Sequence, residues 1–430
     1  MTGPVIDLGE LRQGPDLDTA RLPRPPAARG RPLRGVLVLV LVLVGLAGSV
    51  PLTPREMVTL PAANNADAIL SDDMIFLVEQ LGATGQRTLT ATRLPDGEQA
   101  WRTSLPVEGR YWGVARQGGT LLAVGYESGT DHSGTITIAL DPETGAYLWQ
   151  QPGRPVALPD GGILLWSGAD EAAGVLRAVD ACCGTVRWQA SVEAGADLTP
   201  RDGERWVDRL VLLRGNGQVE VRDATTGTVL RGAHLPAPRG GTPRVLQVVD
   251  DLLVTIDGPP SVISAYGLDH LDRRWQIPAV GETYVSACGV LLCLQSQSAG
   301  MRTIDAATGE PRWADDRWGW VWPYADRLLA TAVSSAGPGS EDLVVLDPPT
   351  GRVLARLGRW EIVRSDVDKP LIGVRPHPDG GLVVAELDVR GGTVRVLDVL
   401  PDASGDCRSA TGWLLCRRQD AAFGVWRLTR

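Results

Sequence analysis

Chemistry in this 430-residue sequence would have to begin with its six cysteines and four histidines, both of them scarce. Zinc sites pair thiolates and imidazoles a few residues apart on one turn or hairpin. His132, His234, His270 and His377 are never spaced with a cysteine in that way, so a metal reading is poor. Cys288 and Cys293 bracket one short turn, and Cys407 and Cys416 hold the matching place near the C-terminus. Cys182 and Cys183 are adjacent, which reads either as a strained structural disulfide or as two free thiols. No serine-nucleophile motif, phosphate loop or metalloprotease helix is present, and Asp131-His132-Ser133 and Asp269-His270 read as loops. The densest aromatic stretch is Trp318-Gly319-Trp320-Val321-Trp322-Pro323-Tyr324. At strand period Trp318, Trp320, Trp322 and Tyr324 share one face. They would form either a stacking platform for a sugar, peptide or polymer, or ordinary packing between sheets.

The elements that must position these residues repeat. Leu140 to Trp149 reads as a strand, a tight turn and a second strand carrying a tryptophan. Asp141 caps the turn through its side chain, and Gly145 supplies a backbone angle other residues resist. Asp180, Gly184 and Trp188, then Asp305, Gly309 and Trp313, repeat the spacing. Copies from Asp223 to Arg231, Asp347 to Ala355 and Asp388 to Val396 keep the Asp and Gly without the aromatic. Gly97 to Trp101 keeps one half, and Asp269 to Trp275 is a shortened copy. Between the turns lie short apolar runs such as Met74–Val78, Leu210–Leu213 and Val290–Leu294, with no sustained helical period. The steps of 37 to 48 residues between glycines fit four strands and their turns, one blade of a β-propeller. In each unit two strands precede the Asp, the third ends at it and the fourth carries the Trp position. The expected fold is therefore all-β, with four-stranded blades. Eight blades are favoured within the typical range of about four to eight, and nine stay open. The ninth arises because residues 406–430 read as three further strands whose fourth would come from Glu56–Leu60.

That frame gives the cysteines a place. Each of the pairs 288/293 and 407/416 joins the first two strands of its blade, so the Cα atoms can approach within the roughly 4.4–6.8 Å of a disulfide. The pair 182/183 falls in a peripheral turn between third and fourth strands.

The N-terminal part is different. Residues 1–34, rich in Pro, Gly, Arg and Asp, read as a disordered tail. Residues 35–54 read as one transmembrane helix, since no charge interrupts the chain between Arg34 and Arg55. Arginines at 21, 24, 29, 31 and 34 put the tail in the cytoplasm and residues 55–430 outside the plasma membrane. Ala47-Gly48-Ser49 leaves a cleaved signal peptide as the alternative. The net charge of −9, more negative still beyond the basic N-terminus, disfavours nucleic-acid binding.

The repeat resembles that of the pyrroloquinoline-quinone (PQQ)-type propellers, whose blades share an Asp-x-x-Thr-Gly-x-x-x-Trp docking motif. That family holds quinoprotein dehydrogenases and non-catalytic scaffolds of outer-membrane protein assembly. The resemblance implies that Trp101, Trp149, Trp188, Trp275 and Trp313 pack between neighbouring blades, with looser contacts where the aromatic is lost. It also offers Cys182-Cys183 as a cofactor-stacking disulfide, but the family's cofactor sits over the propeller axis and this pair is peripheral. Quinoprotein catalysis would further need a Ca²⁺ site of carboxylate, amide and carbonyl oxygens, and Asn216 is the one asparagine within a repeat. The expectation is a scaffold closer to the non-catalytic members, with no cofactor and a protein or cell-envelope partner. The alternative is a PQQ-dependent dehydrogenase of an alcohol or sugar.

Overall fold

Strand after strand in this chain is a run of four to ten residues stopped by Gly, Asp or Pro, and each turns back on its predecessor. The computed structural model describes residues 57–430 except 72, 82–85, 107–108, 128–133, 169–172, 194–196, 201–205, 237–244, 259–260, 297–299, 333–340, 364–370 and 429–430. The tail and the anchor expected over 1–34 and 35–54 lie outside the described residues, as do Asp131-His132-Ser133. Among the described residues there is no helix, and hence none long and apolar enough to cross a membrane.

Backbone hydrogen bonds gather the described strands into eight antiparallel sheets, seven of four strands and one of seven. Six consecutive meanders cover residues 67–104, 109–152, 154–192, 197–234, 245–278 and 284–315. The seven-stranded sheet spans 318–400, and its long strand Val353–Ile362 serves two partners. Up to Trp360 it pairs with Glu341–Leu346, and Glu361 and Ile362 pair with Leu371–Pro376. In the closing sheet Met57–Leu60 joins Phe423–Arg427, so the N-terminal strand completes what the C-terminal three strands begin. First strands of neighbouring sheets touch one another, which sets them at the inner side of the array. This is a β-propeller architecture.

The core is a series of seams between consecutive sheets. Phe76, Leu89 and Trp101 of the first sheet meet Leu121 and Ile138 of the second. Leu329, Val345 and Trp360 meet Leu371 and Leu387 within the seven-stranded sheet. Leu415, Phe423 and Val425 of the closing sheet meet Ile75 and Leu77 of the first, so the series joins end to start.

Five seams are keyed by the Trp of the repeat. The Asp141 carboxylate accepts hydrogen bonds from the Thr144 N–H and hydroxyl, both at 2.8 Å, fixing a turn that ends in Gly145 at φ +70°. That glycine is obligatory twice over, because a Cβ there would also lie 2.3 Å from the Trp101 ring. The Trp101 indole lies flat on the turn and donates to the Pro142 carbonyl at 3.0 Å. Trp149 repeats this on Gly184 with Ala181 O at 2.8 Å, and Trp188 on Gly227 with Thr225 O at 2.8 Å. Trp275 docks on Gly309 with Ala306 O at 2.9 Å, and Trp313 on Gly351 with Pro348 O at 2.8 Å.

Where the aromatic is lost, the neighbour adapts. Arg231 donates through Nε to Asp269 O at 2.7 Å, and the facing turn carries Leu271 at φ +56° in place of glycine. At Ala355 the facing Gly392 closes in, so that an added Cβ would sit 2.6 Å from the alanine methyl. Val58 of the N-terminal strand fills the same place against Gly97, where an added Cβ would meet its Cγ1 at 2.6 Å.

Three outcomes follow. Gly145→Val, which meets both the ring and the positive φ, should cost about 2–4 kcal/mol in chemical denaturation, whereas Gly215→Ala, with open space around it, should stay within about 0.5 kcal/mol. Val58→Asp, which sets a charge into the closing seam, should lower the thermal midpoint by several degrees, and a change of less than about 1 °C would contradict the closure described. Hydrogen bonds from the Thr144 hydroxyl and N–H hold the Asp141 carboxyl below its ordinary range, and Arg312 and then Thr308 do so for Asp305. A depressed carboxyl contributes stability that is present above the unfolded value and lost as pH falls through the folded one. The thermal midpoint should therefore hold from pH 7 to 5 and drop below about pH 4.

Candidate functional site

Each sheet has two ends. One carries the capped Asp turns; the other carries the starts of first strands, the ends of second strands and the loops that link sheets. The exposed aromatic residues of the first strands lie at this second end, in two separate groups on different sheets. Trp112 lies in the first strand of the second sheet, where a bulge between Tyr111 and Gly113 turns it outward. Its ring meets Tyr126 at 6.2 Å, and Arg154, on the first strand of the third sheet, lies over it at 5.7 Å. Trp320 stacks on Tyr284 of the preceding sheet, with centroids 5.7 Å apart and planes at 18°. Both groups therefore bridge neighbouring first strands.

The aromatic run 318–324 does not share one face. A register shift between Trp318 and Trp320 pairs them with Ala332 and Thr331, adjacent residues that point opposite ways. Trp318 turns into the seam with the preceding sheet and is 3 % exposed, while Trp320 is 51 % exposed. Trp322 and Tyr324 pack half-buried against the following sheet strands with Leu329 and Trp360. Trp318 thus leaves the face that Trp320, Trp322 and Tyr324 keep, and on that face the exposed Trp320 indole stacks on Tyr284 of the preceding sheet. Strand alternation predicts one face only while the ladder is regular.

The sheet that carries Tyr284 also bounds a cavity of about 440 Å³, lined by Val280, Glu282, Ser296, Arg302 and Asp315 among others. Glu282 is buried, and its carboxylate accepts from the Arg302 Nε–H and the Val280 N–H. Arg302 also donates to Pro278 O at 2.7 Å. Asp315 is held below its ordinary range chiefly by the Arg317 guanidinium, which itself lies over the Trp318 ring at 5.0 Å. These charges are paired off, which makes the cavity a braced corner rather than a reacting one.

The cysteines divide into two kinds. Disulfides join Cys288 to Cys293, with Cα atoms 5.7 Å apart, and Cys407 to Cys416, at 4.1 Å, each between the first two strands of its sheet. Cys182 and Cys183 are free and exposed in the capped turn of the third sheet. They occupy the end opposite the aromatic cluster, between third and fourth strands. Among the described residues no group of three His, Cys, Asp or Glu is arranged to hold a metal ion. Asn216 spends its side-chain oxygen on the Gln218 N–H at 2.9 Å, within its own turn. Among the described residues, therefore, none are arranged to hold a quinone through a Ca²⁺ ion and a vicinal disulfide.

A family model described as outer membrane protein assembly factor BamB matches residues 85–315, more than half of the chain. No curated protein sequence matches. Among solved structures, a eukaryotic initiation factor is similar at 12% identity and a TM-score of 0.55, over 84% of this chain and 94% of its own; at that identity it shares the fold alone. BamB from Moraxella catarrhalis is similar at 12% identity and a TM-score of 0.44, over 87% of this chain and 98% of its own. The computationally designed Ika8 protein is similar at 12% identity and 0.40, over 87% and 99%. The chain belongs to the family described as outer membrane protein assembly factor BamB.

Proposed function

We propose that this protein is a membrane-anchored, extracytoplasmic scaffold that binds a protein partner and catalyses no reaction. The observation that carries this reading is the division of labour in the repeat. Asp, Gly and Trp are consumed by the seams, and the side chains outside the seams include aromatic and cationic ones at the loop end of the first strands. Trp112, Arg154, Tyr284 and Trp320 have the amphipathic character that protein interfaces favour in their anchors. The family's description as an assembly factor points the same way.

Anchoring through residues 35–54 rests on the uncharged run between Arg34 and Arg55. Export is supported by the two disulfides, which persist in oxidising compartments. We read the array as nine blades, counting the seven-stranded sheet as two that share Val353–Ile362. In support, the described apolar clusters bridge nine successive pairs of four-stranded groups and close on the first.

The full chain in its membrane separates these statements from their rivals. It should resist alkaline extraction and be digested by protease added outside intact cells; release by alkali, or protection from protease, would remove the anchored or the exported reading. Given Ca²⁺ and the quinone, it should show no bound cofactor absorbance and no alcohol- or sugar-dependent dye reduction. A Trp320→Ala, Trp112→Ala pair should weaken partner crosslinking at least about tenfold without altering the melting temperature. Unchanged crosslinking would move the docking surface elsewhere.

A further inference from the structure

Two thiols remain once the disulfides are formed, and they stand side by side. Cys182 and Cys183 fill the middle of the turn from Asp180 to Gly184. The turn keeps the repeat's backbone, with the Gly184 N–H on Asp180 O at 2.9 Å and the Asp180 N–H on Thr185 O at 3.0 Å. In four other copies the position of Cys183 holds a threonine, Thr144, Thr226, Thr308 or Thr350, whose hydroxyl bonds the turn's aspartate. Here the Asp180 carboxylate is taken instead by the Arg187 Nε–H at 2.5 Å. The position of Cys182 holds Glu143, Thr225, Ala307 and Pro349 in the same copies, so it asks for no particular side chain. The fold needs neither thiol.

The two sulfurs are not equivalent. Thr185 donates its hydroxyl to Cys183 Sγ at 3.5 Å. A hydrogen bond from the Cys182 thiol, then those from the Thr185 hydroxyl and N–H, hold the Cys183 thiol below its ordinary range. The contact with Cys183 pushes the Cys182 thiol up. Both are exposed, so a disulfide in solution can reach them. Closing the pair on itself is hindered, because adjacent Cα atoms are about 3.8 Å apart and a relaxed disulfide needs about 4.4 Å or more. Reaction with an outside disulfide carries no such constraint.

We propose that Cys183 is a site of thiol–disulfide exchange that takes up a thiol from a small-molecule or protein disulfide. The Cys183 thiolate attacks one sulfur of R–S–S–R. That S–S bond breaks, Cys183–S–S–R forms, and the departing R–S⁻ takes a proton from solvent. The cysteine is oxidised and the incoming disulfide is reduced, so no further redox partner enters. Cys182 is a slow resolving thiol, since expelling the adduct would form the strained ring. The turn also seats Trp149, through Ala181 O and Gly184, so the adduct forms at the seam between the second and third sheets.

The full chain, left unreduced, is incubated with oxidised glutathione and read by intact and peptide mass. One glutathionyl group on Cys183 is expected, at a rate that Cys183→Thr lowers at least about fivefold while Cys182→Ser does not. Cys183→Thr restores the threonine of the other copies and should leave the melting temperature within about 2 °C. A disulfide-linked peptide in place of glutathione separates the sources: uptake of both marks a thiol open to proteins, and uptake of glutathione alone a small-molecule site. The proposal is overturned by no adduct, by an adduct on Cys182, by a smaller effect of Cys183→Thr, or by a Cys182–Cys183 bond already present before addition.

Discussion

A tryptophan laid flat on a glycine turn of the next sheet is the contact on which this structure depends. Each sheet alone has two apolar faces and no means of burying both. The indole fixes the spacing to the neighbour, its N–H satisfies a turn carbonyl, and the absence of a Cβ at Gly145, Gly184, Gly227, Gly309 or Gly351 lets the ring come down. Because the same residue of one sheet meets the same turn of the next, the contact propagates around the series. Where the tryptophan is lost, Arg231 against the Leu271 turn and Ala355 against Gly392 take its place, and the join between chain ends is solved separately again. Val58 solves it, giving the N-terminal strand the role of a docking strand against Gly97.

Much of this architecture was legible because its signals are local. Asp, Gly and Trp lie within nine residues, and turn chemistry together with strand alternation reads them without reference to distant contacts. The disulfides between first and second strands were legible for the same reason, since hairpin neighbours must approach. What was not legible depends on the ladder or on the partner sheet. Gly319 permits a bulge that separates Trp318 from Trp320, and no spacing rule announces it. Leu271 adopts a backbone angle usually reserved for glycine in a turn of full length, where Gly267 and not Asp269 takes the backbone place of the aspartate. The shared strand Val353–Ile362 hides a boundary that the repeat spacing alone would place.

The same reasoning separates architecture from function. Residues that recur in every copy are explained by the seams, so the repeat by itself says nothing about a ligand. The informative residues are those that break the pattern without a packing reason. Trp112, Tyr284 and Trp320 do so at the loop end, and Cys182 and Cys183 do so at the turn end. A pattern-breaking residue that costs the fold nothing is a better pointer to activity than a motif that repeats.

Hydrogen exchange across one seam tests the central claim most directly. In a Gly184→Val chain the indole of Trp149 loses its seat, and amide protection is predicted to fall in both sheets of that seam, residues 109–152 and 154–192, while residues 284–315 keep theirs. Loss confined to residues 154–192, or no loss at all, would contradict an account in which the tryptophan-on-glycine contact holds neighbouring sheets together.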